Sequence, residues 1–198
     1  MVDYASLPVR EIERLARVIH PGEWVVESAR PIATLLGSCV AVCLFDGVLR
    51  VAGMNHFMLP TMSRGSHSDD DMLLAGDACM TSLLNALLAR GADRRRIQAK
   101  AFGGGTVVDA VPPAFAIGKR NADFTREWLE RERIPLVASD FLGPWSRKVV
   151  LIPDTGDAWC KRMASSLVDA KTVEREEKAY ADALRQQPEA SGKKIELF

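Results

Sequence analysis

The chain has 198 residues, with 26 basic and 26 acidic side chains and a pI near 6.8. A net charge of zero excludes the strongly basic surface that sequence-blind binding to nucleic acid or an anionic membrane requires. The length suits one domain that can bury its own core. The four cysteines and three histidines lack the spacing of a disulfide framework or a zinc site, so we expect reduced thiols, no metal and no cofactor.

The first predicted element is a helix over residues 8–19, because its apolar residues recur at helical spacing and Gly22 follows its end. Charged residues occupy the N-terminus, where an export signal would have an apolar stretch. The longest apolar run, 32–45, is shorter than the roughly 20 residues that a membrane-spanning helix needs. We therefore expect a cytoplasmic protein that is not inserted in a membrane.

Short β-rich runs fill residues 24–58 and predict a sheet, in which Asp46-Gly47 forms the two-residue loop of a hairpin. A polar segment, 60–71, separates this sheet from the helix with the clearest apolar periodicity, 72–90. The remaining predicted elements are strands at 97–102, 134–139 and 147–152 and a helix at 121–133.

The order of these elements predicts an α+β fold, a mixed α/β sandwich, and is too irregular for a doubly wound parallel sheet. The C-terminal part has a different composition, rich in alanine and glutamate and with equal numbers of acids and bases. We predict a single domain over residues 1–156, with a peripheral helix and tail over 157–198.

The segment containing Cys39 and His56 is the candidate reaction site. If the Asp46-Gly47 loop sets the register of the hairpin, Cys39 lies opposite Met54 and His56 is its diagonal neighbour. Side chains alternate between the two faces of a strand, so the thiol and the imidazole share a face, and a slip of one residue would separate them.

This pair suits nucleophilic chemistry. A cysteine thiol with a pKa of about 8.5 is mostly protonated at neutral pH, and a neighbouring imidazole can accept its proton. Gly37 and Ser38, directly before the cysteine, allow backbone N–H groups to approach a developing oxyanion. A structural interpretation stays open on these residues alone, because a cysteine in an apolar strand is most often core packing.

Longer motifs surround these residues and add specificity. In combination they resemble the CheD family of chemoreceptor glutamine deamidases from bacterial chemotaxis, over about Trp24 to Gly156 and at the C-terminus. The motifs are LLGSCVAVCLFD, GMNHFMLP, LLARGA, KAFGGGT, IGKRN, PDTG and the terminal IELF.

The resemblance implies a cysteine hydrolase whose fold is similar to that of toxin domains that deamidate glutamine. Its activity would be that of a protein-glutamine glutaminase, an amidohydrolase that converts chemoreceptor glutamines to glutamate and releases ammonia. The family nucleophile falls on Cys39 and the general base on His56. A CheC-type phosphatase is an implied partner, and the alternative is a non-catalytic module that binds receptors or that phosphatase.

The third site residue of the family is a threonine that usually lies six residues before the cysteine. Here that position is Ala33, and Thr34 follows it. Either Thr34 orients the imidazole through a local shift, or the third member is missing and catalysis is weakened. A further interpretation makes Thr34 an ordinary strand residue.

Overall fold

A computed structural model of the chain describes residues 4, 7–59, 69–106, 117–163, 175, 177–180 and 182, without the side chains of 69–75. Within these residues, three helices and nine strands have complete bounds, and the C-terminal residues 175, 177–180 and 182 have helical backbone. The helices are α1 (Val9–Leu15), α2 (Asp69–Ala89) and α3 (Ile117–Arg131). The strands are β1 (Arg17–Val18), β2 (Trp24–Glu27), β3 (Ile32–Leu36), β4 (Val40–Asp46), β5 (Val51–Phe57), β6 (Gln98–Gly103), β7 (Leu136–Phe141), β8 (Ser146–Ile152) and β9 (Asp157–Met163).

The strands form two mixed sheets. One has four strands in the order β1-β3-β8-β9, and the other has five in the order β2-β5-β4-β6-β7. Only the β1–β3 and β6–β7 pairs among the described strands are parallel. The predicted α+β class is therefore confirmed, and the arrangement is not a doubly wound parallel sheet.

Three apolar clusters show how the layers stack. The inner cluster lies between the two sheets and includes Ile32 and Leu36 of β3 with Ala41 of β4 and Met54 of β5. A second cluster joins the outer face of the five-stranded sheet to α2 and α3. A third joins Ile12 of α1 to the outer face of the four-stranded sheet. The layers are thus helix, sheet, sheet and helix, with β4 and β5 buried on both faces.

The N-terminal helix is shorter than predicted. It ends at Leu15, and Arg17 and Val18 instead pair with Ile32 and Ala33 as strand β1. The Arg17 N–H donates to the Pro31 carbonyl at 2.7 Å. Pairing with the edge of a sheet satisfies these backbone groups. The apolar spacing within residues 8–19 cannot predict this pairing, because β3 lies elsewhere in the sequence.

The β4–β5 hairpin differs from the prediction in its loop. Asp46 pairs with Val51, which leaves a four-residue loop, and the left-handed residue is Arg50 at φ 58° rather than Gly47. The reason is the buried Asp46 carboxylate, which accepts hydrogen bonds from two loop N–H groups and from Arg96. The predicted pairing of Cys39 with Met54 is consequently wrong, since Met54 pairs with Cys43.

The C-terminal region contributes a strand to the core. Residues 157–163, which the composition assigns to a peripheral helix and tail, form β9 and pair with β8 throughout. The division into a domain and a tail stays a prediction, with its boundary moved beyond Met163. The predicted polar loop lies outside the described residues over 60–68, and α2 begins at Asp69.

The helices offer no candidate for a membrane span. Among the described residues, none combines the length and the apolar character that crossing a bilayer requires.

Candidate active site

Cys39 and His56 lie on adjacent strands with their side chains on one face. Cys39 directly precedes β4, whose residue Ala41 pairs with His56 of β5. Because side chains alternate, Cys39, Ala41 and His56 all point between the two sheets. The observed register differs from the predicted one by an even number of residues, so the shared face is kept. Both side chains are buried, with 0% of Cys39 and 1% of His56 exposed.

A hydrogen bond across the two sheets orients the imidazole. Thr34 Oγ1 of β3 lies 2.8 Å from His56 Nδ1 and 2.8 Å from the Ile19 carbonyl oxygen. A hydroxyl has one proton, and the carbonyl can only accept, so Thr34 donates to Ile19 and accepts from His56. His56 then carries its proton on Nδ1, and Nε2 has the lone pair.

The other ring nitrogen is ready to accept a proton. His56 Nε2 is buried and has no hydrogen-bond partner among the described residues. An unpaired buried acceptor is costly and is uncommon away from functional sites. Burial, with a smaller contribution from the nearby His20, lowers the pKa of His56 to about 3, so the imidazole is neutral at physiological pH.

Ala33, at the position of the family threonine, faces the opposite way. It belongs to the third apolar cluster, with Ile12 of α1 and Val150 of β8. Thr34 points between the sheets, as Ile32 and Leu36 of the same strand do, because side chains alternate along β3. The structure thus brings Thr34, and not position 33, to the imidazole.

The three residues that precede β4 are held by their carbonyl oxygens. Gly37 accepts from the Gly105 N–H at 2.7 Å, and Cys39 accepts from the Gly104 N–H at 2.8 Å. Ser38 accepts from the Asn121 side-chain amide at 2.8 Å. Gly37 therefore contributes to the site through its carbonyl, which anchors the loop to Gly105.

Close backbone packing explains the triple glycine after β6. Gly103 has φ 124°, and a Cβ placed there would lie 2.1 Å from the Cys39 carbonyl oxygen. No L side chain fits at that distance. The KAFGGGT motif thus serves as a platform for the backbone of Cys39.

Asn121 of α3 links the segment before β4 to the segment after β5. Its Nδ2 donates to the Ser38 carbonyl, and its Oδ1 accepts the Leu59 N–H at 2.8 Å. Its side chain is completely buried. Local spacing does not reveal this residue, and the only sequence signal for it is its position in the IGKRN motif.

A carboxylate from the C-terminal residues reaches the same loop. Glu177 Oε1 accepts the Cys39 N–H at 3.0 Å, and Oε2 accepts the Ser38 hydroxyl proton at 2.7 Å. The Cys39 N–H and the Ser38 hydroxyl thus together bind a pair of anionic oxygens. No sequence pattern connects residues that lie 138 positions apart.

The other cysteines lie in surroundings that disfavour the thiolate. Burial raises the pKa of Cys43 to about 12 and those of Cys79 and Cys160 to about 11. Within the described residues, no cluster of three His, Cys, Asp or Glu side chains could hold a metal ion.

Comparison with known proteins finds one family model and several relatives that share the same description. A family model described as CheD chemotactic sensory transduction matches residues 58–162. Probable chemoreceptor glutamine deamidase CheD 2 of Dechloromonas aromatica is 63% identical over 197 residues, which cover 100% of both chains. The protein of the same name from Burkholderia thailandensis is 45% identical over 96% of each chain. Probable chemoreceptor glutamine deamidase CheD 1 of Shewanella oneidensis is 38% identical over 96% of this chain and 90% of its own.

Among solved structures, hypothetical protein YfiH of Bacillus licheniformis aligns with 62% of this chain and 51% of its own, at 16% identity and a TM-score of 0.42.

Proposed function

This chain belongs to the CheD family, and we propose that it hydrolyses the side-chain amide of chemoreceptor glutamines with Cys39 as the nucleophile. The observation that carries the residue assignment is the buried Nε2 of His56, which has no hydrogen-bond partner in the described part of the chain and lies on the face that His56 shares with Cys39. The finer description of the fold, a cysteine hydrolase similar to glutamine-deamidating toxin domains, is part of the same proposal.

The first half-reaction forms a thioester. His56 Nε2 takes the Cys39 proton as Sγ attacks the glutamine Cδ, and the carboxamide oxygen becomes an oxyanion that accepts the Cys39 N–H and the Ser38 hydroxyl proton. His56 then protonates the amide nitrogen as the C–N bond breaks. Ammonia leaves, and the acyl group stays on sulfur.

The second half-reaction consumes water. His56 Nε2 takes a proton from the water as its oxygen attacks the thioester carbon, and the C–S bond breaks. The thiolate recovers its proton from the imidazolium, and the product carboxylic acid loses its proton to solvent, which leaves a glutamate side chain. Thr34 holds the ring through Nδ1 in both halves, so the same nitrogen acts as base and acid.

The Thr34–His56 hydrogen bond also bears on the non-catalytic alternative. That alternative depended on the alanine at position 33, which would leave the imidazole without its orienting hydroxyl. Since Thr34 supplies a hydroxyl at 2.8 Å, the alanine gives no reason to expect an inactive site. Binding to a CheC-type phosphatase and residence in the cytoplasm rest on the family alone and belong to this proposal.

The test uses a receptor cytoplasmic fragment as substrate. We expect ammonia release together with a mass gain of about one dalton for each glutamine converted. Cys39→Ala should lower the rate by at least about 1,000-fold, and His56→Gln by about 100-fold or more. Cys160→Ser, which changes a thiol on β9, is the matched control and should keep full activity. Equal rates for the wild type and Cys39→Ala would refute the assignment.

A further inference from the structure

The C-terminal helical residues, Arg175, Glu177 to Tyr180 and Asp182, place a carboxylate at the proposed nucleophile. Both oxygens of Glu177 are engaged, one by the Cys39 N–H at 3.0 Å and the other by the Ser38 hydroxyl at 2.7 Å. The Ser38 proton has a weaker option in Met58 Sδ at 3.8 Å, so the carboxylate is its better acceptor. The Glu177 carboxylate is therefore held by two hydrogen bonds, one to each oxygen.

Tyr180 extends this contact along the same side of the helix. Residues three apart on a helix are neighbours, and the Tyr180 ring packs on the inner cluster that contains Cys39. It also fills the space beside Gly22, where a Cβ would lie 2.5 Å from the ring. Lys178 and Ala179 are exposed. The helix thus presents Glu177 and Tyr180 to the site and Lys178 to solvent.

The chemistry of the contact matches that of the reaction. A glutamate side chain is what glutamine becomes after deamidation, and its carboxylate has the size and planar shape of the carboxamide. The two donors that the proposed mechanism assigns to the substrate carboxamide, the Cys39 N–H and the Ser38 hydroxyl, each hold one oxygen of this carboxylate. A receptor glutamine cannot occupy this position while Glu177 does.

We propose that Glu177 is an internal product analogue, which fills the carboxamide subsite formed by Ser38 and Cys39 and keeps the site closed until a receptor segment displaces it. This inference rests on the deamidase function proposed above. The occupant is tethered, so its effective concentration is of millimolar order, and a weak contact suffices to keep the site filled. A receptor segment must compete with Glu177 for the subsite. The apparent KM therefore equals the KM of the open site divided by the fraction of molecules in which Glu177 has left the subsite.

The first experiment removes the occupant. Full-length Glu177→Ala is compared with the wild type and with Lys178→Ala, an exposed neighbour on the same helix. We expect Glu177→Ala to lower the KM for a receptor fragment by about fivefold or more without lowering kcat. It should also speed alkylation of Cys39 by iodoacetamide, followed by peptide mass spectrometry. Lys178→Ala should match the wild type.

The outcomes separate the two proposals. Alkylation does not depend on deamidation, so faster alkylation without any receptor activity would sink the deamidase function and leave the closed site standing. Unchanged KM and unchanged alkylation in Glu177→Ala would overturn the closed site. A lower kcat in that variant would also overturn it, because Glu177 would then take part in the reaction.

The second experiment tests whether the position is product-like. In full-length Glu177→Gln, the introduced amide should be converted back to glutamate by Cys39 of the same molecule, with a gain of about one dalton and one ammonia per chain. The rate should not depend on protein concentration. Glu177→Gln combined with Cys39→Ala, and Glu130→Gln on the exposed side of α3, should both keep the amide. A persistent amide in a chain that deamidates receptors would overturn the product-analogue assignment.

Discussion

Thr34 and His56 connect the two sheets of the sandwich through one hydrogen bond of 2.8 Å between Oγ1 and Nδ1. Thr34 lies in the four-stranded sheet and His56 in the five-stranded sheet. The spacing of the sheets therefore sets the orientation of the imidazole. The Ile19 carbonyl fixes the direction of this bond by accepting the only proton of the hydroxyl.

Thr34→Ala should lower kcat for receptor deamidation by about 100-fold, because the ring loses the contact that orients it and selects its tautomer. Thr34→Ser keeps the hydroxyl and should retain most of the activity. Nitrogen NMR of the imidazole should report proton exchange between Nδ1 and Nε2 only in Thr34→Ala. If Thr34→Ala has wild-type kcat, Thr34 is an ordinary strand residue.

Moving the threonine to the family position should not restore activity. Ala33 packs against Ile12 and Val150 on the far side of β3. The double variant Ala33→Thr with Thr34→Ala should stay as inactive as Thr34→Ala, and it should unfold at lower urea concentration, because a hydroxyl is buried there without a partner. Recovery of activity in the double variant would mean that β3 can shift by one residue.

Stability should fall as the pH falls below the ordinary histidine pKa of 6.5. The pKa of His56 in the folded chain is lowered to about 3, so the unfolded chain binds a proton that the folded chain does not. Between pH 6.5 and about 5 the free energy of unfolding should decrease with a slope approaching 1.4 kcal/mol per pH unit. Urea titrations of the wild type and His56→Gln measure it. His56→Gln should flatten this slope, and His20→Gln should keep it.

Glycine at position 103 should be essential, in contrast to glycine at position 47. Gly103→Ala puts a methyl group 2.1 Å from the Cys39 carbonyl oxygen on a backbone with φ 124°, whereas a Cβ on Gly47 meets nothing within 4 Å. We expect loss of deamidation and lower stability for Gly103→Ala and wild-type values for Gly47→Ala. Ammonia release and thermal unfolding measure the two effects. A fully active Gly103→Ala would show that the loop before β4 can move without cost.

Asp46→Ala should destabilise the hairpin by about 1 to 3 kcal/mol, because the buried carboxylate binds Arg96 and three backbone N–H groups. Arg96 holds the pKa of Asp46 well below its usual value near 3.8. The contribution is therefore present above pH 3.8 and lost as the pH falls below it. Urea unfolding at neutral pH measures the difference. Asp154→Ala, which removes an ion pair with the largely exposed Arg50, is the control and should cost less.

The sequence predicted most elements and the face on which the candidate pair lies. Apolar periodicity located α2 and α3. The predicted and observed registers of the β4–β5 pair differ by an even number of residues, so Cys39 and His56 still share a face. The loop type was wrong for a physical reason. Local preference favours Asp46-Gly47 as a two-residue turn, but Arg96, fifty residues away, binds the Asp46 carboxylate and stabilises a wider loop.

The site residues that the sequence did not predict are those that only folding brings close to Ser38 and Cys39. Asn121 reaches Ser38 across 83 positions, and Glu177 reaches it across 139. Side-chain types and spacing within one segment do not encode such contacts. Thr34 lies between these cases, since its alternation on β3 predicts its face but not the identity of the partner on β5.

The anchoring of Gly37, Ser38 and Cys39 has a consequence for how the protein matures. Their carbonyls are held by Gly104, Gly105 and Asn121, all of which are synthesised at least 65 residues after Cys39. A growing chain that ends after β5 already contains the thiol and the imidazole but not the residues that hold the backbone of Cys39. On the proposed mechanism, hydrolysis requires that β6 and α3 have docked, so deamidase activity would report the folding of these two elements onto β4.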